Sequence, residues 1–423
     1  MFRLRHILTL LLSLMVAQLM GQTPQETTIN ASHRRYVTPT GAYSNRGTTW
    51  ADAKNNIQDA INDLVASNLL PGEVWVKEGT YRPTESTESG GSSLFASFKI
   101  PAGITVRGGF AGNEVTLNDR MVKYLDKDGN TVGTAKIGDT FSKAYTDKRF
   151  LHPTVLTGDL SSRQANFTWN DQSHRYATQF YGNAYHVVWF ATNGFYSNGR
   201  AKALRLNDAS WTATLEGVTI MRGYAYNSSL EGHPHNAYGG GAYMVDGSMM
   251  RDVRIECCEA SRNGGAIYMD GGGVCDHVFV TTSQAQGIGT SYGYGGGVCI
   301  ETTPAISDVA PVETGFRYGM IANCASRQGG GLAILTSRNT FTETYTNPVT
   351  GAQETRTRVP AIYEDQRNKA YAYASIVAHN VALIEGGGIY TNGGGAMSQM
   401  TIVGNACYGT ATIVNGVTQG RSG

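Results

Sequence analysis

Apolar and polar residues alternate over short stretches in the second half of the chain, and glycines separate these stretches. A Gly-rich triplet recurs at Gly239–Gly241, Gly264–Ala266, Gly295–Gly297, Gly329–Gly331 and Gly386–Gly388. Counted at the third residue, the triplets lie 25, 31, 34 and 57 residues apart. The shortest interval is 25 residues, and the longer intervals contain different numbers of additional residues. This pattern is typical of a solenoid whose coils carry loop insertions.

The similarity between units extends past the glycines. A Tyr follows the triplet, and an apolar residue opens a second strand pattern ten residues later, in the pairs Tyr243 and Val253, Tyr268 and Val278, and Tyr390 and Met400. Each unit therefore predicts strand, turn and strand, with side chains pointing alternately inward and outward. We expect the second-strand positions, together with Val218, to superpose in one sheet.

These units predict an all-β fold, a right-handed parallel β-helix of the pectate-lyase-like type. Coils stack about 4.8 Å apart in such a solenoid, so each position lies on its counterpart in the next coil. Asn323 and Asn380 each precede a triplet by six residues, which predicts an Asn ladder at a bend, and Cys258 holds the matching place. No amphipathic run of helix length occurs in residues 210–423.

The front half predicts a cap and an insertion. Thr48–Val65 carries Trp50, Ile57, Ile61 and Leu64 on one helical face, as an amphipathic capping helix over the first β-helix edge does. Residues 121–149 predict a hairpin insertion with its turn at Asp128–Gly129. Residues 336–372 predict a second protruding hairpin, with strands at Phe341–Thr346 and Glu354–Val359.

The N-terminus predicts export. Arg3, Arg5 and His6 precede an apolar stretch, Ile7–Met20, which is too short for a comfortable membrane span. We expect a signal peptide at residues 1–21, a flexible leader at 22–45, the cap and first coils with a hairpin insertion at 46–160, and the β-helix with loop insertions at 161–423. No later segment is apolar enough to span a membrane. No amphipathic segment follows Cys407, so the β-helix is expected to lack a C-terminal cap.

Composition and charge narrow the function classes. Gly supplies 53 of 423 residues, and 34 Lys and Arg balance 33 Asp and Glu, so nothing directs the protein to nucleic acid. The six Cys residues lie inside the repeats and show no zinc-type spacing. They are interpreted as small buried residues of the stack, and disulfides in an exported chain are the alternative.

Several blocks resemble one known family, the exported β-helix proteins of gram-negative bacteria related to the repeats of chlamydial polymorphic outer-membrane proteins. The matching residues are Gly47–Trp50, Glu73–Tyr81, Ile104–Glu114, Arg120, Pro153–Asp159 and Leu215–Ile220, followed by the GGGIY-type triplets. The resemblance implies a β-helix at the cell surface or outside the cell, and it carries no catalytic residues. Family members continue into a C-terminal anchor or sorting domain, so a truncated or frame-interrupted copy is one interpretation of this chain. An exposed, aggregation-prone strand is expected at Ala411–Val414.

Catalysis on this fold would need positioned acids and bases. Asp252, His277 and Asp308 stand one position before the second strand of their units, and would form an acid/base column if those coils stack directly. The competing interpretation is a column of solvated turn residues. His233 and His235 resemble a metal pair but lack a third ligand, so neither a metal nor a cofactor is predicted.

Repeated tyrosines are the candidate binding residues. Because Ile267 and Ile389 should point inward, Tyr268 and Tyr390 should point outward with Tyr243 in the same column. Such a face offers stacking surfaces for sugars or a protein partner, and ordinary stacking between coils is the alternative. The leading hypothesis is a secreted or surface adhesin-like protein binding glycans or surface proteins. The second is a polysaccharide lyase or glycosidase on the same fold.

Overall fold

In a computed structural model, the described residues are 29–86, 93–137, 139–144, 147–161, 167–178, 182–191, 212–226, 234–287, 293–302, 314–336, 341–346, 353–358, 370–393, 395–409, 411–414 and 417–420. They form a right-handed parallel β-helix, as the repeats predict. Each full coil passes through four sheets, which we call A, B, C and D in the order in which the chain visits them.

Sheets A and B follow one another along the chain in each coil. Sheet A has nine strands, at Arg34–Val37, Gly72–Lys77, Ile104–Phe110, Ala213–Glu216, Ser248–Arg251, Gly273–Asp276, Thr314–Arg317, Ala370–Tyr373 and Ala396–Ser398. Sheet B has eight, at Gly79–Tyr81, Thr154–Thr157, Val218–Met221, Arg254–Glu256, Phe279–Thr281, Met320–Ala322, Ile376–Ala378 and Thr401–Val403.

Sheets C and D close the coil. Sheet C has six short strands, at Tyr224–Ala225, Glu259–Ala260, Gln284–Ala285, Ala325–Gln328, Val381–Glu385 and Ala406–Cys407. Sheet D has seven, at Phe98–Ile100, Val188–Phe190, Ala242–Val245, Ile267–Asp270, Val298–Thr302, Leu332–Thr336 and Ile389–Asn392. The Gly triplets connect sheet C to sheet D, where close backbone approach leaves no room for a Cβ on the middle glycine, as at Gly265.

The core is a set of stacked apolar columns. Fully buried side chains repeat from coil to coil, in sheet A at Leu215, Met250, Cys275 and Phe316, and in sheet B at Ile220, Ile255, Val280 and Ile321. Burying one such side chain contributes about 1.5–3 kcal/mol. The register of sheet B also places Val218, Val253, Val278 and Met400 in one column, which confirms the predicted superposition.

The capping helix, α1, spans Ile57–Ala66 and is shorter than the predicted Thr48–Val65. Asn56 caps it by accepting hydrogen bonds from two backbone N–H groups of the first turn, which is why the helix begins there. Its buried face contacts the strands Arg34–Val37 and Gly72–Lys77. The helix therefore covers the first edge of the solenoid, as predicted.

Part of the predicted flexible leader forms a strand in the structure. Arg34–Val37 lies in the leader range of 22–45, yet it pairs in parallel with Gly72–Lys77 as the first strand of sheet A. The predicted signal peptide lies outside the described residues. In the part of the chain that the structure describes, no helix is long and apolar enough to cross a membrane. Short 3-10 turns occur at Ala31–His33, Ser93–Phe95, Leu117–Asp119 and Pro234–Ala237.

The first insertion is a small antiparallel sheet that we call the insertion sheet. Its strands are Met121–Leu125, Thr131–Lys136 and Asp147–Phe150. The predicted turn is confirmed, because the Asp126 carboxylate accepts backbone N–H groups and Gly129 has a positive φ of 80°. The sequence predicted the hairpin of the first two strands but not the third strand.

Three further hairpins leave the β-helix. Phe341–Thr346 pairs with Gln353–Arg358, as predicted to within one residue. Phe167–Asn170 pairs with Arg175–Thr178, which was not predicted. The strand Ala411–Val414 was expected to be unpaired, but it forms an antiparallel hairpin with Val417–Gly420. That expectation was wrong because the residues that follow, Val417–Gly420, supply a partner strand.

The bend between sheets B and C carries a short Asn ladder, with a register that differs from the prediction. Asn380 stacks on Asn405 and Cys324, whereas Asn323 occupies the preceding bend position at a φ of 54°. The offset arises from a bulge in the next strand, where Ser326 pairs with Ala382 but the following partners are shifted by one residue. Asn323 and Asn380 therefore occupy different positions in their coils, although each precedes its triplet by six residues.

All six cysteines, Cys257, Cys258, Cys275, Cys299, Cys324 and Cys407, are free thiols. Four of them are buried in the stack. Burial raises the pKa of the Cys258 thiol, which keeps it protonated and inert. The interpretation as small buried residues is confirmed for these four.

We expect Asn380→Ala to destabilise the β-helix by about 2–3 kcal/mol, because it leaves buried donors and acceptors unpaired. The Asn380 carboxamide accepts from the Cys324 N–H at 2.9 Å and donates to the Ile321 carbonyl at 3.0 Å. The measurement is urea unfolding followed by circular dichroism. Asn323→Gly is the matched control, and its cost should stay below about 1 kcal/mol because Gly accepts a positive φ. Equal costs for the two variants would contradict the ladder.

Candidate functional site

A groove lies where the insertion sheet meets the corner between sheets A and B. Its volume is about 440 Å³, within the range of ligand sites. Its walls are formed by Val122, Lys123, Asp147, Lys148, Arg149, Phe150, Pro153, Thr154, Gly217, Val218, Thr219, Asp252, Arg254, Glu256, His277 and Phe279. One wall belongs to the insertion sheet and the other to four successive coils.

A buried charge cluster supports the base of this insertion. Glu216, at the end of its sheet A strand, forms ion pairs with Arg107 of the previous coil and with Arg120, at 2.6 Å from the latter. Arg120 precedes the insertion sheet and lies over the Phe150 ring at 5.2 Å. Burial acts to raise the pKa of Glu216, but the charges of Arg107 and Arg120 outweigh it and hold the pKa below its ordinary value. The insertion is therefore tied to the coil by ionic contacts.

The corner itself is a column of residues in the left-handed region. Asp252, His277, Tyr318, Ala374 and Gln399 turn successive coils from sheet A to sheet B, with φ between 45° and 54°. The backbone N–H of each of the first two donates to a carbonyl of the next coil, at 3.1 Å for Asp252 and 3.0 Å for His277. Stacking of the coils thus fixes the backbone position from which each of these side chains projects out of the β-helix.

Asp252 and His277 occupy neighbouring places in this column, as the sequence predicted, and both line the groove. Asp308 does not continue the column, because Tyr318 occupies the corresponding bend and residues 303–313 lie outside the described residues. The ten-residue spacing failed in that coil because the sheet D strand ends at Thr302 and the sheet A strand begins only at Thr314, which is farther along the chain than in the two preceding coils. The predicted Asp–His–Asp column is therefore corrected to Asp252, His277 and Tyr318.

The two candidate residues differ in their surroundings. Burial raises the pKa of Asp252, and the nearby charge of Lys148 opposes that shift. His277 Nδ1 lies 2.6 Å from the Asp276 carboxylate, which also accepts from Arg317 at 3.0 Å. The His277 ring stacks on Tyr318, with centroids 5.3 Å apart. Asp252 is thus a carboxyl of the corner column whose pKa lies above its ordinary value.

The opposite end of the groove is cationic. Asp147 is 2.8 Å from Arg149 on its own strand and 3.0 Å from Arg254 of sheet B. The Arg254 guanidinium lies 5.2 Å from the Phe279 ring centroid. No carboxylate among the described residues forms an ion pair with Lys123 or Lys148. The groove therefore offers free ammonium groups, half-buried carboxyls and aromatic surface to one ligand.

The tyrosine column lies on sheet D, away from this groove, and its members differ in exposure. Tyr243 and Tyr268 do share a column, but they are only 2% and 5% exposed. Trp189 stacks on Tyr243 at 4.4 Å, and Tyr238 packs on Tyr268 at 4.7 Å. The expectation of open stacking faces is wrong for these two, because alternation predicts an outward direction but not what covers that face.

The tyrosine hydroxyls form hydrogen bonds between neighbouring coils. Tyr243 donates to the Asp270 carboxylate at 2.5 Å, and Tyr268 donates to Glu301 at 2.7 Å. Each hydrogen bond joins one coil to the next, which is the stacking alternative that the sequence left open. Tyr390 is half-buried beside Tyr294, and its role in binding stays a prediction.

Within the described residues, no three His, Cys, Asp or Glu side chains are grouped closely enough to hold a metal ion. His235 is buried against Trp189, with ring centroids 5.2 Å apart, and His233 lies outside the described residues. The rejected metal pair therefore gains no support from the packing of His235.

The cationic wall was missed from the sequence. Lys123, Lys148, Arg149 and Arg254 were not predicted as site residues, although three consecutive charged residues on a strand, Asp147–Arg149, were a visible signal. Arg254 follows Asp147 by 107 residues, so only folding brings the pair together.

The fold and the groove together define a parallel β-helix protein with a charged lateral groove. No family model matches the chain, and no curated protein matches it. Among solved structures, the chain is similar to the one described as "The complex structure of XylC with xylose", with a TM-score of 0.31, 10% identity, and coverage of 87% of this chain and 69% of that chain. A score this low carries no argument about function, and the fold rests on the strand register described above.

We expect Glu216→Gln to lower the free energy of unfolding by about 3–5 kcal/mol, because it leaves two buried guanidinium groups without a full countercharge. Unfolding in urea at pH 7 measures this loss. Glu256→Gln is the control, since Glu256 is half-buried and forms no ion pair in the described part of the chain, and it should cost under about 1 kcal/mol. A loss below about 1 kcal/mol for Glu216→Gln would contradict the proposed anchoring.

The same carboxylate predicts a pH dependence. Because the pKa of Glu216 is lower in the folded state than in the unfolded state, its contribution is present above the unfolded value of about 4.3 and is lost as the pH falls through the folded value. Wild-type stability should therefore fall more steeply below about pH 4.5 than that of Glu216→Gln. Parallel pH profiles for the two proteins would show that Glu216 contributes nothing through its charge.

Proposed function

We propose that this protein is an exported, adhesin-like β-helix that binds glycans in the groove between the insertion sheet and the corner column. The observation that carries the proposal is the composition of the groove walls. Free ammonium groups, half-buried carboxyls and aromatic rings line one open volume of about 440 Å³. Sugars present hydroxyl groups and apolar ring faces together, and such mixed walls bind both.

The positions of the polar groups support this proposal. Lys148 and Asp252 lie on opposite walls, and burial raises the pKa of Asp252 while the charge of Lys148 opposes that shift. His277 is anchored through Asp276 and still has 52% of its side chain exposed. Because hydrogen bonds between coils fix the backbone of the corner residues, little backbone entropy is lost when they bind a ligand.

Location at the outer surface of a gram-negative bacterium is part of this proposal. It is supported by the basic and apolar residues of Arg3–Met20, which resemble a secretory signal. The resemblance to the chlamydial repeat proteins supports the same location. Glycans or proteins of a host or of neighbouring cells are the proposed partners.

A carbohydrate-active enzyme is the second candidate, and one observation favours it. Burial raises the pKa of Asp252, as general acids of glycosidases require. A glycosidase also needs a second carboxylate on the other side of the scissile bond. Glu256 and Asp147 line the same groove, and Asp147 is engaged by two arginines. Glycan binding without cleavage is the function that the groove supports better.

We expect Lys148→Ala to weaken glycan binding about tenfold, because a hydrogen bond to a charged group contributes about 1.5–3 kcal/mol. Affinity electrophoresis of residues 22–423 in gels containing dextran, pectin, polygalacturonate or dextran sulfate measures the change. Lys127→Ala is the matched control, since Lys127 lies at the exposed tip of the insertion hairpin and has 79% of its side chain exposed. Retardation by none of these glycans would overturn the proposal.

We expect no release of reducing or unsaturated ends from these polysaccharides, and no difference between the wild type and Asp252→Asn combined with His277→Ala. Product formation measured by reducing-end assay and by absorbance of unsaturated uronates tests this. Asn is accepted at a positive φ, so the first change preserves the bend. Cleavage by the wild type that the double variant loses would establish the enzyme in place of the adhesin.

A further inference from the structure

Two like charges face each other on the groove wall. In the insertion sheet, Lys123 pairs directly with Arg149 across antiparallel strands, so both side chains lie on one face of that sheet. Both residues line the groove. Like charges directly opposite each other destabilise a sheet, and Lys123 forms no ion pair within the described residues.

At this end of the groove, cationic side chains outnumber the carboxylates that form ion pairs with them. Arg149 and Arg254 both bond to a single carboxylate, that of Asp147. Burial lowers the pKa of Arg254, the charge of Asp147 opposes this, and the charge of Arg149 lowers it further. Three cationic side chains, Lys123, Arg149 and Arg254, therefore share one countercharge.

The other carboxylates of the groove form no ion pair with these three cations, although the charge of Glu256 favours the charged form of Arg254. Asp252 belongs to the corner column, where burial raises its pKa and Lys148 is its cationic neighbour. Glu256 forms no ion pair with any described residue. Over the whole groove, four Lys and Arg side chains face three carboxylates.

We propose that the ligand of this groove is an acidic glycan, with a carboxylate or sulfate group seated among Lys123, Arg149 and Arg254. This inference rests on the proposed glycan-binding function and specifies its ligand class. The anionic group relieves the repulsion between Lys123 and Arg149 and supplies a second countercharge beside Asp147. The sugar ring then extends toward Phe279 and His277, whose side chains line the continuation of the groove.

The test compares ligands that differ only in charge. Polygalacturonate and its full methyl ester form one pair, and dextran sulfate and dextran form the other. We expect at least one acidic member to bind tenfold or more tightly than its neutral partner, measured by titration calorimetry in 50 mM and 300 mM salt, with the affinity falling as salt rises. The pair that shows the difference identifies the group as carboxylate or sulfate.

Variants assign the effect to the groove. Lys123→Gln should reduce the affinity for the acidic member at least fivefold and leave the neutral member unchanged. Lys127→Gln, at the hairpin tip outside the groove, should change neither. Thermal unfolding of each variant checks that the fold is retained, and Lys123→Gln should not lower the melting temperature, because it removes an unpaired charge.

The outcomes separate this inference from the proposed function. Equal binding of acidic and neutral members would overturn the acidic-ligand inference while glycan binding stands. Equal losses in Lys123→Gln and Lys127→Gln would show a diffuse electrostatic attraction and overturn the assignment to this groove. Binding of no glycan in either pair would overturn the proposed function itself.

Discussion

Stacking of the coils is the constraint on which the rest of this structure depends. Each coil satisfies its backbone donors and acceptors through the coils on either side, so every residue is placed against its counterpart one coil away. Columns follow from this pairing. Apolar columns such as Leu215, Met250 and Phe316 form the core, and polar columns have to satisfy one another. The same constraint holds Asp252 and His277 beside each other on a rigid corner.

The groove arises because an insertion departs from this repeat and packs back onto it. The insertion sheet leaves the coil after sheet A and returns before sheet B, so its strands stand beside the corner column. Glu216 bridges Arg107 and Arg120 and fixes that packing with a buried ionic contact. A plain coil would offer only a flat surface, whereas an inserted wall makes a concave site that can enclose a ligand.

The sequence predicted much of the fold and only part of the site. Periodic glycines and alternating apolar residues predicted the β-helix, the sheet B column and the hairpin turn near Asp128, because each depends on local geometry. The helix start at Ile57, the ladder partner of Asn380 and the place of Tyr318 were missed. Each depends on a cap, a bulge or an insertion length, which spacing along the chain does not reveal.

The amino-acid sequence by itself determined the solenoid, the column of Val218, Val253, Val278 and Met400, and the inward or outward direction of side chains along a strand, since a strand has a period of two residues and a coil repeats. Tertiary structure alone decided which outward faces stay open. Sheet D is covered by Tyr238 and its neighbours, so Tyr243 and Tyr268 are buried, whereas the corner column faces a groove. Tertiary structure also placed Asp147 beside Arg254, which is 107 residues away in the sequence. Contacts between such distant segments follow from packing and not from local pattern.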